Sequence, residues 1–196
     1  MLNNFEKYLK TIYILIIILI IFIVPFLKTN NVEGNNPIQV QSEYGFIWPV
    51  ENHISISSYF GKRNAPTEFA STYHSGIDIP APENTKVFAI DDAKVIFAGW
   101  GAGGGYTITL QLKNYPELKI SYCHLSPIMF VNKDEEITKG KIVGTVGPRN
   151  VYGINDNPYS DENGNPTNGV TTGCHLHFTI KQNGEPVDPL QYYNYK

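Results

Sequence analysis

The chain has 196 residues and a formal net charge of −3; its first 27 residues contribute +1, so the remainder carries −4. That balance excludes a basic surface for nucleic acid, and the length provides for one ordinary domain whose core needs no disulfide support. Seventeen glycines, 13 prolines and 13 tyrosines, with no sustained helical apolar period beyond the N-terminus, point to an all-β domain.

In chain order, residues 1–10 are a short N-terminal stretch. Thr11 to Leu27 then run for seventeen residues without a charge, with Lys7 and Lys10 before them and Lys28 after. As a helix this run would be about 25 Å long, slightly under the roughly 30 Å hydrocarbon core, and it reads as a transmembrane anchor. A cleaved signal peptide is the alternative, although only Val32-Glu33-Gly34 approximates a cleavage site. Two lysines before the run against one after place the N-terminus in the cytoplasm and residue 28 onward outside. Residues 28–43, polar and rich in Asn, read as a linker, and the folded domain is expected over 44–196.

Within that domain, short β-type runs alternate with turn residues: HISISSYF from His53, TKVFAI from Thr85, AKVIFAG from Ala93, YTITLQL from Tyr106, LKISYCHL from Leu118, KIVGTVG from Lys141 and HLHFTI from His175. Gly99, Gly101 and Gly104 satisfy a dinucleotide-type glycine pattern. They lie between two strand runs with no helix following, so a hairpin turn is the expectation. Asp161, Asn163 and Asn165 mimic the start of a calcium loop, but Pro166 stands where such a loop needs Gly and Thr172 where it needs Glu. The irregular stretch Gly147 to Gly173 is long enough to suggest a functional loop.

Three strand-like regions carry a set of metal-capable side chains: His74 with Asp78, His124, and His175 with His177, leaving His53 over. In an extended chain His175 and His177 share one face. His74 and Asp78 flank Gly76, with Ile77, Ile79 and Pro80 close by, so they belong to a turn entering a strand rather than to a helix. Two histidines and an aspartate fit an open, catalytic zinc site, where water is activated near neutral pH and the remaining histidines move protons or steady an oxyanion.

H-x-x-x-D at 74–78, a tyrosine two residues before His124-Leu125-Ser126, and H-x-H at 175–177 together resemble the lysostaphin-like zinc endopeptidases that cut the peptide part of bacterial peptidoglycan. The SSYFGKR stretch and the GKIVGTVG stretch resemble further elements of that family, and the likeness runs from Trp48 to Leu190. It implies a mainly antiparallel β domain, one zinc held by His74, Asp78 and His177, His124 and His175 as the catalytic pair, and peptidoglycan peptides as the partner. A non-hydrolytic scaffold or regulator at the cell envelope is the rival function. Cys174 stands where these enzymes usually have proline. Alternation is expected to turn Cys123 and Cys174 away from the faces carrying their neighbouring histidines, as a disulfide or as buried free thiols.

Overall fold

A computed structural model describes residues 40–67 and 69–195, together with Ile12; otherwise the expected membrane span over 11–27 lies outside the described residues, as does most of the 28–43 linker. Among the described residues no helix is long and apolar enough to cross a membrane.

Among the described residues eleven strands form, in keeping with the all-β class expected: β1 (Gly61–Lys62), β2 (Tyr73–His74), β3 (Ile77–Pro80), β4 (Lys86–Phe88), β5 (Ala93–Trp100), β6 (Tyr106–Leu112), β7 (Leu118–Cys123), β8 (Glu136–Ile137), β9 (Ile142–Thr145), β10 (His175–Gln182) and β11 (Glu185–Val187). The main sheet runs β11-β10-β7-β6-β5-β8, with β3 on the β11 side of β10, and its pairings are antiparallel. Two small sheets, β1-β2 and β4-β9, flank it. The glycine pattern after β5 is the hairpin connection to β6, containing a single 3₁₀ turn at Ala102–Gly104.

Period-two alternation explains the layering. Ile77 and Ile79, Ile108 and Leu110, Ile120 and Tyr122, and Leu176, Phe178 and Ile180 all point to one face and are fully buried. At roughly 1.5–3 kcal/mol per fully buried large apolar side chain, this face fixes the register, because a one-residue slip would turn every one of them to water. An aromatic group closes the far end: Trp48 packs against Tyr193 and Tyr195, while Ser42 Oγ donates to the Tyr192 carbonyl at 2.6 Å.

The run from His53 to Phe60 departs from expectation. It forms no extended ladder and bridges the sheet only where Ser58 meets Asp78, since β3 is short and its other edge already pairs with β10.

Candidate functional site

The polar positions of β3 and β10 build the first half of the site. In register, His177 lies opposite Asp78 and His175 opposite Pro80, so the residues alternating with the buried Ile77, Ile79, Leu176 and Phe178 converge on the other face. His74 arrives from β2, and the chain between it and Asp78 passes close to β10. A Cβ on Gly76 would stand 2.3 Å from the Phe178 carbonyl oxygen, so that crossing requires glycine.

One ligand atom from each of His74, Asp78 and His177 lies within 4.8 Å of the others. His74 Nε2 is 2.9 Å from His177 Nδ1 and 3.1 Å from Asp78 Oδ1, and His177 Nδ1 is 2.8 Å from the same oxygen. Their outer contacts orient the rings. His74 Nδ1–H donates to the Tyr59 carbonyl at 2.9 Å, and His177 Nε2 shares a hydrogen bond with Thr179 Oγ1 at 3.0 Å. Two imidazole nitrogens and a carboxylate oxygen therefore converge on one point, where a cation can take the place of the protons they share. A nitrogen, nitrogen and oxygen set suits zinc.

The carboxylate stays ionised. Burial raises the Asp78 pKa, but hydrogen bonds from His175, His177 and His74 outweigh it and hold the group well below the usual carboxylate range. Arg63 Nη1 adds a donor to Asp78 Oδ2 at 3.3 Å and another to Ser58 Oγ at 2.6 Å.

His124 and His175 stand beside this cluster, with ring centroids 4.8 Å apart. Each spends its Nδ1–H on a backbone carbonyl: His124 on Asn168 at 2.7 Å, His175 on Gly173 at 2.9 Å. Nε2 is thus the free nitrogen of both rings, and that of His175 is 3.5 Å from Asp78 Oδ1. Burial pushes the His124 pKa down to about 3, helped by the neighbouring His175 and His177, so its imidazole is neutral; burial likewise lowers His177.

His124 is not a strand residue. It follows the last residue of β7 with φ of +59°, which breaks the alternation. Cys123 is the cross-strand partner of His177 and lines the same cleft, contrary to the expectation that it would face away from the histidines. The left-handed turn swings His124 back to that side. Loops hold it there: its N–H donates to the Gly104 carbonyl at 2.8 Å and its own carbonyl accepts from Gly147 N at 2.9 Å. Asn168, fully buried, ties those loops together. Its Oδ1 accepts from Tyr106 N, and its Nδ2 donates to the carbonyls of Leu125 and Pro148. Gly105 is required for this, since a Cβ there would stand 2.2 Å from Asn168 Oδ1.

All five residues singled out in the sequence meet in one cleft of about 430 Å³. His53 instead donates from Nδ1 to the Glu51 carbonyl at 2.6 Å and does not line the cleft. Both cysteines are free: Cys123 is buried and Cys174 is exposed just before β10. Sequence reading missed Asn168, Thr179 and the role of Arg63. Thr179 shared a strand face with His177 and could have been found by alternation, and Arg63 lay within the FGKR element. Nothing local marked Asn168. The calcium-like loop is self-satisfied, with Asp161 Oδ1 accepting from the backbone of Asn163 and Asn165, both at 2.9 Å.

Residues 72–189 match the profile of peptidase family M23. The chain is 30% identical over 151 residues to the DD-carboxypeptidase/endopeptidase Mpg of Neisseria meningitidis, covering 77% of this chain and 30% of that one. It is 26% identical over 145 residues to the murein hydrolase activator NlpD of Escherichia coli, covering 74% and 30%. Among solved structures it resembles the catalytic domain of lysostaphin from Staphylococcus simulans, with TM-score 0.56, 25% identity and coverage of 72% and 92%. It also resembles a zinc-containing peptidase from Vibrio cholerae, with TM-score 0.55, 25% identity and coverage of 71% and 37%. The chain spans about three tenths of the length of these curated relatives.

Proposed function

The chain belongs to peptidase family M23, and on that premise we propose that it is a membrane-anchored, zinc-dependent endopeptidase hydrolysing peptide bonds in bacterial peptidoglycan. The observation that carries this reading is the convergence of His74 Nε2, Asp78 Oδ1 and His177 Nδ1 on one point of an open cleft. We assign these three as the zinc ligands. A bound zinc ion supplies Lewis-acid activation of water and of the scissile carbonyl at neutral pH.

The remaining residues divide the proton work. His124 and His175 each present a free Nε2 in the cleft, so either accepts a proton from the attacking water. Once protonated, that ring donates to the leaving amine or to the oxygen gaining charge. Pinning both Nδ1–H groups to backbone carbonyls keeps the rings in the required orientation without reorganisation during turnover. Asp78, kept ionised, offsets the cation's charge, while Arg63 and Ser58 orient it and His74.

A purely activating role, suggested by the name of the Escherichia coli relative, would not call for a complete donor set with two further histidines aimed at it. Purified full-length chain in detergent, incubated with purified muropeptides, distinguishes the two. Mass spectrometry is expected to find new amine termini that vanish with a chelator and return with added zinc. Intact muropeptides after incubation with the metal-loaded chain would overturn the assignment in favour of activation.

Residues 11–27 are the anchor in this proposal, supported by their charge-free length and poor cleavage site. Cell fractionation should find the chain in the membrane with the domain outside; a mature form in the medium beginning near Asn35 would mean a signal peptide instead.

A further inference from the structure

The cleft does not end at the five-residue centre. β10, β7, β6 and β5 present an open sheet face in registered rows, opposite the buried face of Ile180, Ile120, Leu110 and Val95. Nearest the centre lie His177 and Cys123. Two residues on come Thr179, Ser121 and Thr109, the latter two sharing a 3.1 Å hydroxyl hydrogen bond. Two further on, Lys181, Lys119, Gln111 and Lys94 stand abreast.

Lys181 and Lys119 are direct cross-strand neighbours, and both are exposed. Like charges directly opposite one another destabilise a sheet. Four lysines of the domain meet acids, among them Lys94 in the same row, which pairs with Asp134 at 3.0 Å, and Lys113, which pairs with Glu136. Among the described residues neither Lys119 nor Lys181 has a carboxylate partner. Gln111, beside them, spends its amide on the carbonyls of Pro116 and Leu118. Lys181, Thr179 and Ser121 line the same cleft as His74, Asp78 and His177.

We propose that Lys119 and Lys181 form a carboxylate subsite that selects acidic peptide substrates, and that this is why the fold tolerates two unpaired like charges side by side. The proposal rests on the endopeptidase reading for the position of the scissile bond. Four residues of strand separate Lys181 from His177, roughly 13 Å at about 3.3 Å per residue. A peptide lying extended along this face with its scissile bond at the centre therefore brings a carboxylate about four residues away over the two ammonium groups. Peptide stems with free carboxyl groups meet that requirement, whereas a glycine bridge has no charge of its own to offer. The hydroxyl row between supplies neutral donors and acceptors for the intervening backbone.

The test uses purified cross-linked muropeptides and the same material with its carboxyl groups converted to amides. Binding to the full-length chain is measured by calorimetry with chelator present, so that turnover does not interfere, and hydrolysis is measured separately with zinc. Wild type is expected to bind the carboxylate form at least about tenfold more tightly, with the preference weakening as salt rises. That preference should collapse toward unity in Lys119→Gln/Lys181→Gln and return in Lys119→Arg/Lys181→Arg. Melting temperature in the glutamine variant should be unchanged or higher, as relief of the Lys–Lys repulsion requires. No preference in wild type, or one that the glutamine variant keeps, overturns the subsite. Hydrolysis without preference would leave the endopeptidase reading standing and remove the subsite. Preference without hydrolysis would do the reverse.

Discussion

Asp78, His175 and His177 reach the cleft by strand register, whereas His124 reaches it through a left-handed residue gripped by three loops. In the first region the buried stripes of β3 and β10 set position, so the cost of misplacing a site residue is the cost of unburying a core face. In the second, backbone hydrogen bonds from Gly104, Gly147 and Asn168 set it, and each is a separable contact. The ligands Asp78 and His177 in the strand half should therefore fail through loss of metal, whereas His124 in the loop half, like the strand-borne His175, should fail with metal retained.

The largest expected effect separates the proposed ligands from the proton carriers. His177→Ala removes a proposed zinc ligand, so metal content, measured by elemental analysis, should fall from one per chain toward none. Hydrolysis should drop by at least about three orders of magnitude. Stoichiometric zinc in this variant would take His177 out of the ligand set. His124→Ala and His175→Ala, by contrast, should keep zinc and lose at least about a hundredfold in turnover, the usual scale for a lost acid–base group. A fall in metal content there would mean that ligands and proton carriers had been assigned the wrong way round.

Asn168→Ala tests how the loop half is held. The substitution removes, from a residue that is itself fully buried, the partner of the Tyr106 N–H and of the Leu125 and Pro148 carbonyls. A destabilisation of about 2 kcal/mol is expected, lowering Tm by roughly 5 °C. Turnover should fall by about tenfold with zinc retained, because the carbonyl that orients His124 loosens with the loop. Thr179→Val makes the matching change in the strand half, removing the hydroxyl hydrogen-bonded to His177 Nε2 while keeping its shape. Here zinc affinity should weaken by about tenfold with little change in Tm. Competition with a chromophoric chelator reads the affinity, and an unchanged value would show that register alone orients His177.

The two halves were also unequally legible in the sequence. Alternation in HLHFTI placed His175 and His177 on one face, and the turn residues around Gly76 put Asp78 at the start of a strand; both follow from local chain geometry. The main strands β5, β6, β7, β9 and β10 were likewise visible as apolar runs. The two-residue strands β1, β2 and β8 were not, since a pair of residues has no period to read. His124 was singled out in the sequence, but its conformation was not foreseen, because a positive φ at a non-glycine residue is imposed by Gly104 and Gly147 from distant stretches of chain. Asn168 was invisible for the same reason. Its partners lie 20 to 62 residues away.

The smallest expected effect concerns the two cysteines, where the same contrast gives opposite chemistry. Cys123 ends β7 as the cross-strand neighbour of His177, buried against Gly104, while Cys174 sits exposed on the loop side of β10. A thiol-reactive label should therefore modify Cys174 in the folded chain within minutes and reach Cys123 only after denaturation, with intact mass counting the adducts. Cys174→Ser should change stability by no more than about 0.5 kcal/mol, as for exposed positions without special contacts. Cys123→Ser places a hydroxyl of similar size in a polar-lined position beside Thr107, so its cost should also be small, about 1 kcal/mol. Two adducts under non-reducing, denaturing conditions, in protein taken from its native envelope, would establish free thiols. Absence of both would mean a disulfide, and hence a Cys174 loop that moves to meet the end of β7.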